Sequence, residues 1–90
     1  MNMNEKKTYI WRLATFLHAN SMVMSGEELA KHLNRNNFPT SYGTEFQGGR
    51  GTYQLIRQTW KWLYEELGLP KEAKHVAKAF VKPDGEYAYK

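Results

Sequence analysis

The fold is decided by one continuous stretch near the middle of the first half of the chain. It runs Met24-Ser25-Gly26-Glu27-Glu28-Leu29-Ala30-Lys31-His32-Leu33-Asn34. Ser25 is a favourable N-cap residue, and Glu28 lies three residues later, which is the spacing of a capping box. Met24 and Leu29 occupy the two positions of a hydrophobic staple. The stretch therefore predicts a short, well-capped helix, whose narrow apolar stripe from Leu29 to Leu33 must pack against other elements.

A longer helix is predicted before this stretch. Asn4 is a favourable cap for a helix over residues 5–19, and the polar residues that follow end it. The main apolar residues of this helix recur at helical spacing and are Ile10, Leu13, Ala14 and Leu17. Between the two helices, Met22-Val23-Met24 predicts a strand of three residues.

The connection after the capped helix is long. Residues 36–51 contain four glycines and one proline, and their apolar residues follow neither the helical nor the strand period. Phe38, Tyr42 and Phe46 are apolar anchors that disordered linkers lack, so we expect an ordered loop. Loops of this length in a compact domain are usually functional.

A third helix is predicted over residues 51–67. Its inner side collects Tyr53, Ile56, Thr59, Trp60, Leu63 and Leu67. Its opposite side collects the polar residues Gln54, Arg57, Gln58 and Lys61. Leu55 and Trp62 form a second apolar patch on the flank, and Gly68 is expected to end the helix in the left-handed conformation. The helix therefore presents a basic, amide-bearing face to solvent.

The rest of the chain predicts a short helix and a hairpin. Pro70 suits the first turn of a helix that runs to about residue 79. Lys82-Pro83-Asp84-Gly85 then predicts a turn between strands at residues 80–81 and 87–89. The expected fold class is mostly α with a small β-hairpin (α+β). The expected order is helix, short strand, helix, long loop, helix, short helix and hairpin.

Composition and charge placement limit the class of protein. Ninety residues predict a single domain over residues 1–90, and the chain has no cysteine for a disulfide or a thiolate metal site. Residues 1–23 lack the apolar run of a signal peptide and no segment is long enough to span a membrane, so we expect a cytoplasmic protein. Residues 29–64 contain five basic residues and one acid, which equals the whole net charge of +4. Such a basic segment favours a polyanionic partner.

Signals for an enzyme are weak. His18, His32 and His75 fall on three separate predicted elements, with no pair at metal-ligand spacing. Adjacent acids at Glu27-Glu28 and Glu65-Glu66 point in different directions from their helices and do not form a catalytic pair. The segment at residues 48–51 lacks the Lys-Ser/Thr pair of a phosphate-binding loop. We therefore expect neither catalysis nor a cofactor, a metal or a small-molecule substrate.

Two parts of the chain resemble winged helix-turn-helix DNA-binding domains, such as the N-terminal domain of biotin-repressor-like proteins. Residues 25–34 are similar to the first helix of their helix-turn-helix. Residues 49–56, followed by residues 64–68, are similar to the recognition helix and its exit. The resemblance implies a winged-helix fold, with the third helix at the major groove and the C-terminal hairpin as the wing. The chain departs from that pattern by a long insertion before the recognition helix and a short helix before the wing.

The polar face and the resemblance together predict a small protein that binds double-stranded DNA, as a transcriptional regulator or an accessory factor. Arginine pairs well with guanine and glutamine with adenine in the major groove, while basic side chains bind phosphates. Glycines before a helix leave backbone N–H groups open to a phosphate, or they simply form a tight turn. The candidate DNA-binding residues are Arg35, Ser41, Thr44, Arg50, Thr52, Gln54, Arg57, Gln58, Lys61 and Lys82.

Other interpretations stay open from the sequence alone. The same face is also typical of an ordinary solvated helix, and an RNA ligand would need the same residues. An interaction module that binds no nucleic acid would use the loop from Tyr42 to Phe46 together with Leu55 and Trp62. Trp11 also lies off the main apolar stripe, and exposed tryptophans favour a protein partner or a homodimer. In so small a domain they can instead cover the core.

Overall fold

The computed structural model describes residues 3–40, 42–47 and 50–87, with Met3 and Arg50 described by their backbone alone. This part of the chain is mostly helical, with a small two-stranded parallel sheet, and its helices follow the predicted order. The elements are α1 (Met3–Ala19), β1 (Met24–Ser25), α2 (Gly26–Arg35), α3 (Arg50–Lys61), a π-helical turn (Trp62–Glu66), α4 (Pro70–Ala79) and β2 (Phe80–Val81). No helix in these ranges is long and apolar enough to cross a membrane.

Helix α1 provides one side of the core. Ile10, Ala14 and Leu17 are buried as their spacing predicts, and Leu13 is half-buried at the edge. The expected cap at Asn4 is wrong, because the helix begins at Met3 and Asn4 already has helical backbone. Helix α4 packs against both α1 and α3, α2 packs against α3, and all four helices contribute to one core.

Helix α2 begins as predicted. Ser25 has extended backbone (φ −76°, ψ 160°), and its Oγ accepts a hydrogen bond from the Glu28 amide at 3.1 Å. The Glu28 carboxylate in turn accepts from the Ser25 hydroxyl at 3.3 Å. Leu29 and Leu33 are fully buried, which confirms the apolar stripe.

The start of α2 lies very close to the start of α3. A Cβ atom on Gly26 would stand 2.8 Å from the Thr52 hydroxyl and from the Tyr53 ring. The Thr52 hydroxyl also donates to the Gly26 carbonyl at 3.0 Å, within the buried contact. Glycine is therefore required at position 26 by the approach of the two helices.

The end of α3 differs from the prediction of one regular helix. The Leu67 amide donates to the Trp62 carbonyl, five residues back, at 3.0 Å, so the last turn is π-helical. Leu67, predicted on the inner face, is the C-cap residue at which this turn ends, and it is 43% exposed. Gly68 then ends the helix with φ +64°, as expected.

The sheet pairs the strand that follows α1 with the strand that follows α4. Met24 pairs with Phe80 and Ser25 with Val81, in parallel. The first strand is shifted from its predicted position, since Met22 and Val23 precede it and are exposed. The predicted turn is present: the Gly85 amide donates to the Lys82 carbonyl at 2.9 Å, and Gly85 has φ +86°. Val81 forms an antiparallel bridge with Tyr87, and the remainder of the predicted second strand, residues 88–89, lies outside the described residues.

Candidate nucleic-acid interface

The loop between α2 and α3 is fixed to α2 by one asparagine. The Asn34 side-chain amide donates to the Phe46 carbonyl at 2.9 Å, and its oxygen accepts from the Phe46 amide at 2.8 Å. This pairing imitates the two hydrogen bonds that a neighbouring strand would make. It holds the Phe46 ring against the core, where the residue is only 9% exposed.

The first part of the same loop is fixed to α1. The Phe38 amide donates to the Leu33 carbonyl at 2.9 Å, and the Phe38 ring lies 5.1 Å from the Tyr9 ring. The Lys6 ammonium donates to the Pro39 carbonyl, and it stands 5.6 Å from the centroid of the Phe46 ring. The loop is therefore ordered by contacts with two helices. Phe38 and Phe46 anchor it as predicted, whereas the prediction of Tyr42 as an anchor is wrong, because that residue is exposed.

Lys6 is an unusual member of this attachment, because a lysine is seldom so completely buried. Lys6 is only 6% exposed to solvent. Burial removes water from the ammonium group and lowers the pKa of Lys6 from its ordinary value of 10.5.

A tight turn lies between the two attachment points. The Thr40 amide donates to the Thr44 carbonyl at 2.8 Å, and the Gly43 amide donates to the Thr40 carbonyl at 3.0 Å. The Thr40 hydroxyl also accepts from the amides of Tyr42 and Thr44 and lies 2.8 Å from the Thr44 hydroxyl. At the tip of this turn the Tyr42 side chain is 91% exposed. The turn thus holds an aromatic ring in solvent.

A groove separates this turn from α3, and we call it the loop–α3 groove. Its volume is about 360 Å³. The loop supplies the polar residues Thr44, Glu45 and Gln47, and α3 supplies Gln54 and Gln58. Phe46 and Leu55, both buried, form an apolar floor, and Tyr42 lies at the rim.

The predicted polar face of α3 is divided by this groove. Gln54, Arg57 and Lys61 are exposed and Gln58 is half-buried, so all four side chains point away from the core. Gln54 and Gln58 line the groove, whereas Arg57 and Lys61 lie on the same helical face beyond its lining. The face therefore has an amide part beside the loop and a basic part away from it.

Other predicted DNA-binding residues have varied surroundings. Thr52 is fully buried and donates to Gly26, so its assignment to DNA binding is wrong. The Thr44 hydroxyl is paired with Thr40, while Arg35 and Lys82 are exposed. Ser41 and the glycines at 48 and 49 lie outside the described residues. Arg50 is the first residue of α3, and the position of its side chain is likewise outside the description.

The apolar patch predicted as a partner interface is used inside the molecule. Leu55 is 5% exposed and belongs to the core, which corrects its assignment to a surface. Trp11 and Trp62 are half-buried and meet edge to face, with ring centroids 6.2 Å apart. The Trp11 indole also donates to the Glu72 carboxylate at 3.0 Å, so these tryptophans join α1 to α3 and α4. The two tryptophans therefore cover the core, which is the alternative to a partner interface that is expected in a small domain.

Two histidines that are distant in the sequence are brought together. His18 at the end of α1 stacks on His75 of α4, with ring centroids 3.9 Å apart and planes inclined by 19°. The His75 Nδ1 lies 3.8 Å from the Glu72 carboxylate. Sequence analysis missed this contact, because no spacing within either helix indicates how α1 crosses α4. In the described ranges, no group of three histidine or acidic side chains is arranged to hold a metal ion.

Comparison of the chain with protein-family models, with curated proteins and with solved structures finds no match.

Proposed function

We propose that the chain binds DNA through the outward face of α3, in the manner of a winged helix-turn-helix protein that acts as a regulator or an accessory factor. The observation that supports this proposal most is the arrangement of Gln54, Arg57, Gln58 and Lys61 on one side of α3, with none of the four side chains in the core. The described part of this face contains no acid before the π-helical turn. It therefore offers positive charge together with groups that can hydrogen-bond to bases.

The basic part and the amide part of this face would have different roles in binding. Arg57 and Lys61 would contact phosphates, releasing counterions and giving most of the affinity. Gln54 and Gln58 each offer an amide donor and an amide acceptor, which suits contacts with base edges. Arg35 at the end of α2 and Lys82 in the hairpin turn are exposed and would add phosphate contacts at the margins. The pairing of β1 with the strand that enters this turn supports a wing-like role for the hairpin.

A protein-interaction module is the weaker proposal. It needs Leu55 and Trp62 at the surface beside the loop, whereas Leu55 is buried and Trp62 packs against Trp11. Of the large apolar residues in that set, Tyr42 is the one that is exposed.

The test is a salt titration of binding to a labelled duplex of mixed sequence, followed by fluorescence anisotropy. We expect the affinity of the wild type to fall steeply with salt. Replacing both Arg57 and Lys61 with alanine should weaken binding and reduce the slope of log K against log salt by up to roughly 2, since each phosphate contact contributes about 0.9.

The matched control is Lys71→Ala with Lys74→Ala. Both lysines are exposed on α4, and their removal changes the net charge by the same amount. This variant should keep most of the wild-type slope. Equal behaviour of the two double variants would contradict the assignment of the interface to α3, and no salt-dependent binding by the wild type would contradict DNA binding itself.

A further inference from the structure

The exposed ring of Tyr42 has no role in the core, yet the backbone that carries it is hydrogen-bonded within a turn. Its turn is closed by backbone hydrogen bonds between Thr40, Gly43 and Thr44, and the Thr40 hydroxyl accepts from the Tyr42 amide at 3.3 Å. The loop on both sides of the turn is attached to α1 and α2 through Pro39 and Phe46. An aromatic ring that is 91% exposed on a fixed turn adds little to folding, so it is available to stack on a ligand.

The loop–α3 groove beside this ring suits a flat molecule with polar edges. Its volume of about 360 Å³ lies within the range of small-ligand sites. Phe46 and Leu55 form an apolar floor, while three glutamine amides, those of Gln47, Gln54 and Gln58, offer donors and acceptors around it. A nucleobase has this combination of an apolar face and an edge of donors and acceptors.

The charged residues around the groove indicate the path that the backbone of a nucleic-acid strand would follow over the surface. Glu45 lies on the loop side of the groove and repels phosphate there, whereas the Lys6 ammonium in the same lining is engaged by the Pro39 carbonyl. Arg57 and Lys61 are exposed on the same face of α3, outside the groove lining, and they attract phosphate. A strand that places a base in the groove would therefore run its backbone along α3 and away from Glu45.

We infer that the loop–α3 groove binds one unpaired nucleobase, with Tyr42 stacked on it and the amides of Gln54 and Gln58 bonded to its edge. This inference rests on the proposed function and adds the class of ligand. A base inside a duplex presents only its groove edge and keeps its faces stacked on its neighbours, so it cannot use the Tyr42 ring. An unpaired base can leave the stack and expose both faces. The ligand is thus nucleic acid with a single-stranded end, gap or bulge.

The experiment compares a blunt labelled duplex with the same duplex carrying a single-stranded tail, and adds a single-stranded RNA of the tail sequence. The wild type, Tyr42→Ala and Tyr42→Phe are measured at one salt concentration by anisotropy. The wild type should prefer the tailed probe. Tyr42→Ala should weaken tailed-probe binding by roughly 5- to 100-fold, the usual effect of losing one stacked base, and leave blunt-duplex binding unchanged. Tyr42→Phe keeps the ring and should bind like the wild type.

Other outcomes separate this inference from the proposed function. If blunt and tailed probes bind equally and Tyr42→Ala has no effect, the groove does not bind a base, although DNA binding by α3 stands. If no nucleic acid binds, both proposals fail and a protein partner for Tyr42 becomes the better explanation. If the RNA binds with the same dependence on Tyr42, the result supports base binding in the groove and shows that the unpaired base can come from RNA.

A second pair of variants excludes a general effect on folding. Gln54→Ala with Gln58→Ala should lower the preference for the tailed probe, whereas Lys71→Ala with Lys74→Ala should preserve it. Tyr42 is at the tip of an exposed turn, so circular dichroism of Tyr42→Ala should match the wild type. A tailed-probe preference that survives loss of both glutamines would overturn the assignment of base recognition to the groove.

Discussion

The inner and outer sides of α3 are held in place by different kinds of interaction. On the inner side, Ile56, Thr59 and Leu63 are fully buried against α1 and α4. On the outer side, Gln54 and Gln58 face a loop whose position depends on hydrogen bonds from Asn34 and Lys6. The fold thus depends on apolar packing, whereas the candidate binding surface depends on a few polar contacts. The two can therefore be altered separately.

The strongest test of this difference compares two leucines near the end of α3. Leu63 is fully buried and Leu67 is 43% exposed, although a regular helix would place both on the inner face. Leu63→Ala should lower the free energy of unfolding by about 2–5 kcal/mol. Leu67→Ala should lower it by less than about 1 kcal/mol, since surface substitutions have small effects. Urea unfolding measures both, and equal losses would contradict the difference in burial between Leu63 and Leu67.

A smaller effect is expected where α2 meets α3. Gly26→Ala would place its Cβ atom 2.8 Å from Thr52 and Tyr53, so the helices must separate at a cost of about 1–3 kcal/mol. Gly51→Ala is the control, because its Cβ would meet only the Phe46 ring at 3.8 Å, an ordinary contact. That change should be neutral or stabilise by up to about 1 kcal/mol through helix propensity. Equal destabilisation by both substitutions would show that the loss at Gly26 does not come from the close approach of α2 and α3.

The parts of the fold that the sequence predicts are those that depend on neighbours along the chain. The cap at Ser25, the buried stripe of α2 and the turn at Gly85 follow from residues within one or two turns of each other. The contacts that sequence analysis missed join distant residues, as in the Asn34–Phe46 pairing and the His18–His75 stack. Leu55 and Thr52 were misplaced for the same reason, since helical spacing gives a residue's direction but does not show what a long loop or a second helix places beside it.

The same reasoning applies to the candidate site. The polar face of α3 follows from its spacing, and the ordered loop follows from its aromatic residues, of which Phe38 and Phe46 are anchors and Tyr42 is not. The loop–α3 groove could not be predicted, because it requires the loop to turn back beside Gln54 and Gln58. Asn34, near the end of α2, determines that return through its two hydrogen bonds to Phe46. The residues around Asn34 in the sequence do not indicate this distant partner.

Loss of the Asn34 pairing should release the loop without unfolding the helices. Asn34→Ala removes two hydrogen bonds to Phe46, which should cost about 1–3 kcal/mol because each is worth roughly 0.5–1.5 kcal/mol. Arg35→Ala, at the exposed neighbouring position, should cost less than about 0.5 kcal/mol. Hydrogen exchange at the Phe46 amide should become faster only in the Asn34 variant. Unchanged protection of that amide would mean that the loop is held by its contacts with α1 alone.

The contacts with α1 give the smallest expected effect, and it depends on pH. Burial lowers the pKa of Lys6 below 10.5 in the folded protein, whereas the unfolded chain keeps the ordinary value. Between those two values the unfolded state binds more protons than the folded state, so stability rises with pH. The penalty for burying the ammonium is therefore fully present below the folded pKa and disappears as the pH rises towards 10.5.

Lys6→Met has no amine to titrate, and the other ionisable groups are common to both proteins. The free energy of unfolding of the wild type should consequently increase relative to Lys6→Met between neutral and alkaline pH, in urea titrations made in parallel. A difference that stays constant or falls would show that the Pro39 carbonyl and the Phe46 ring compensate fully for the water that Lys6 loses.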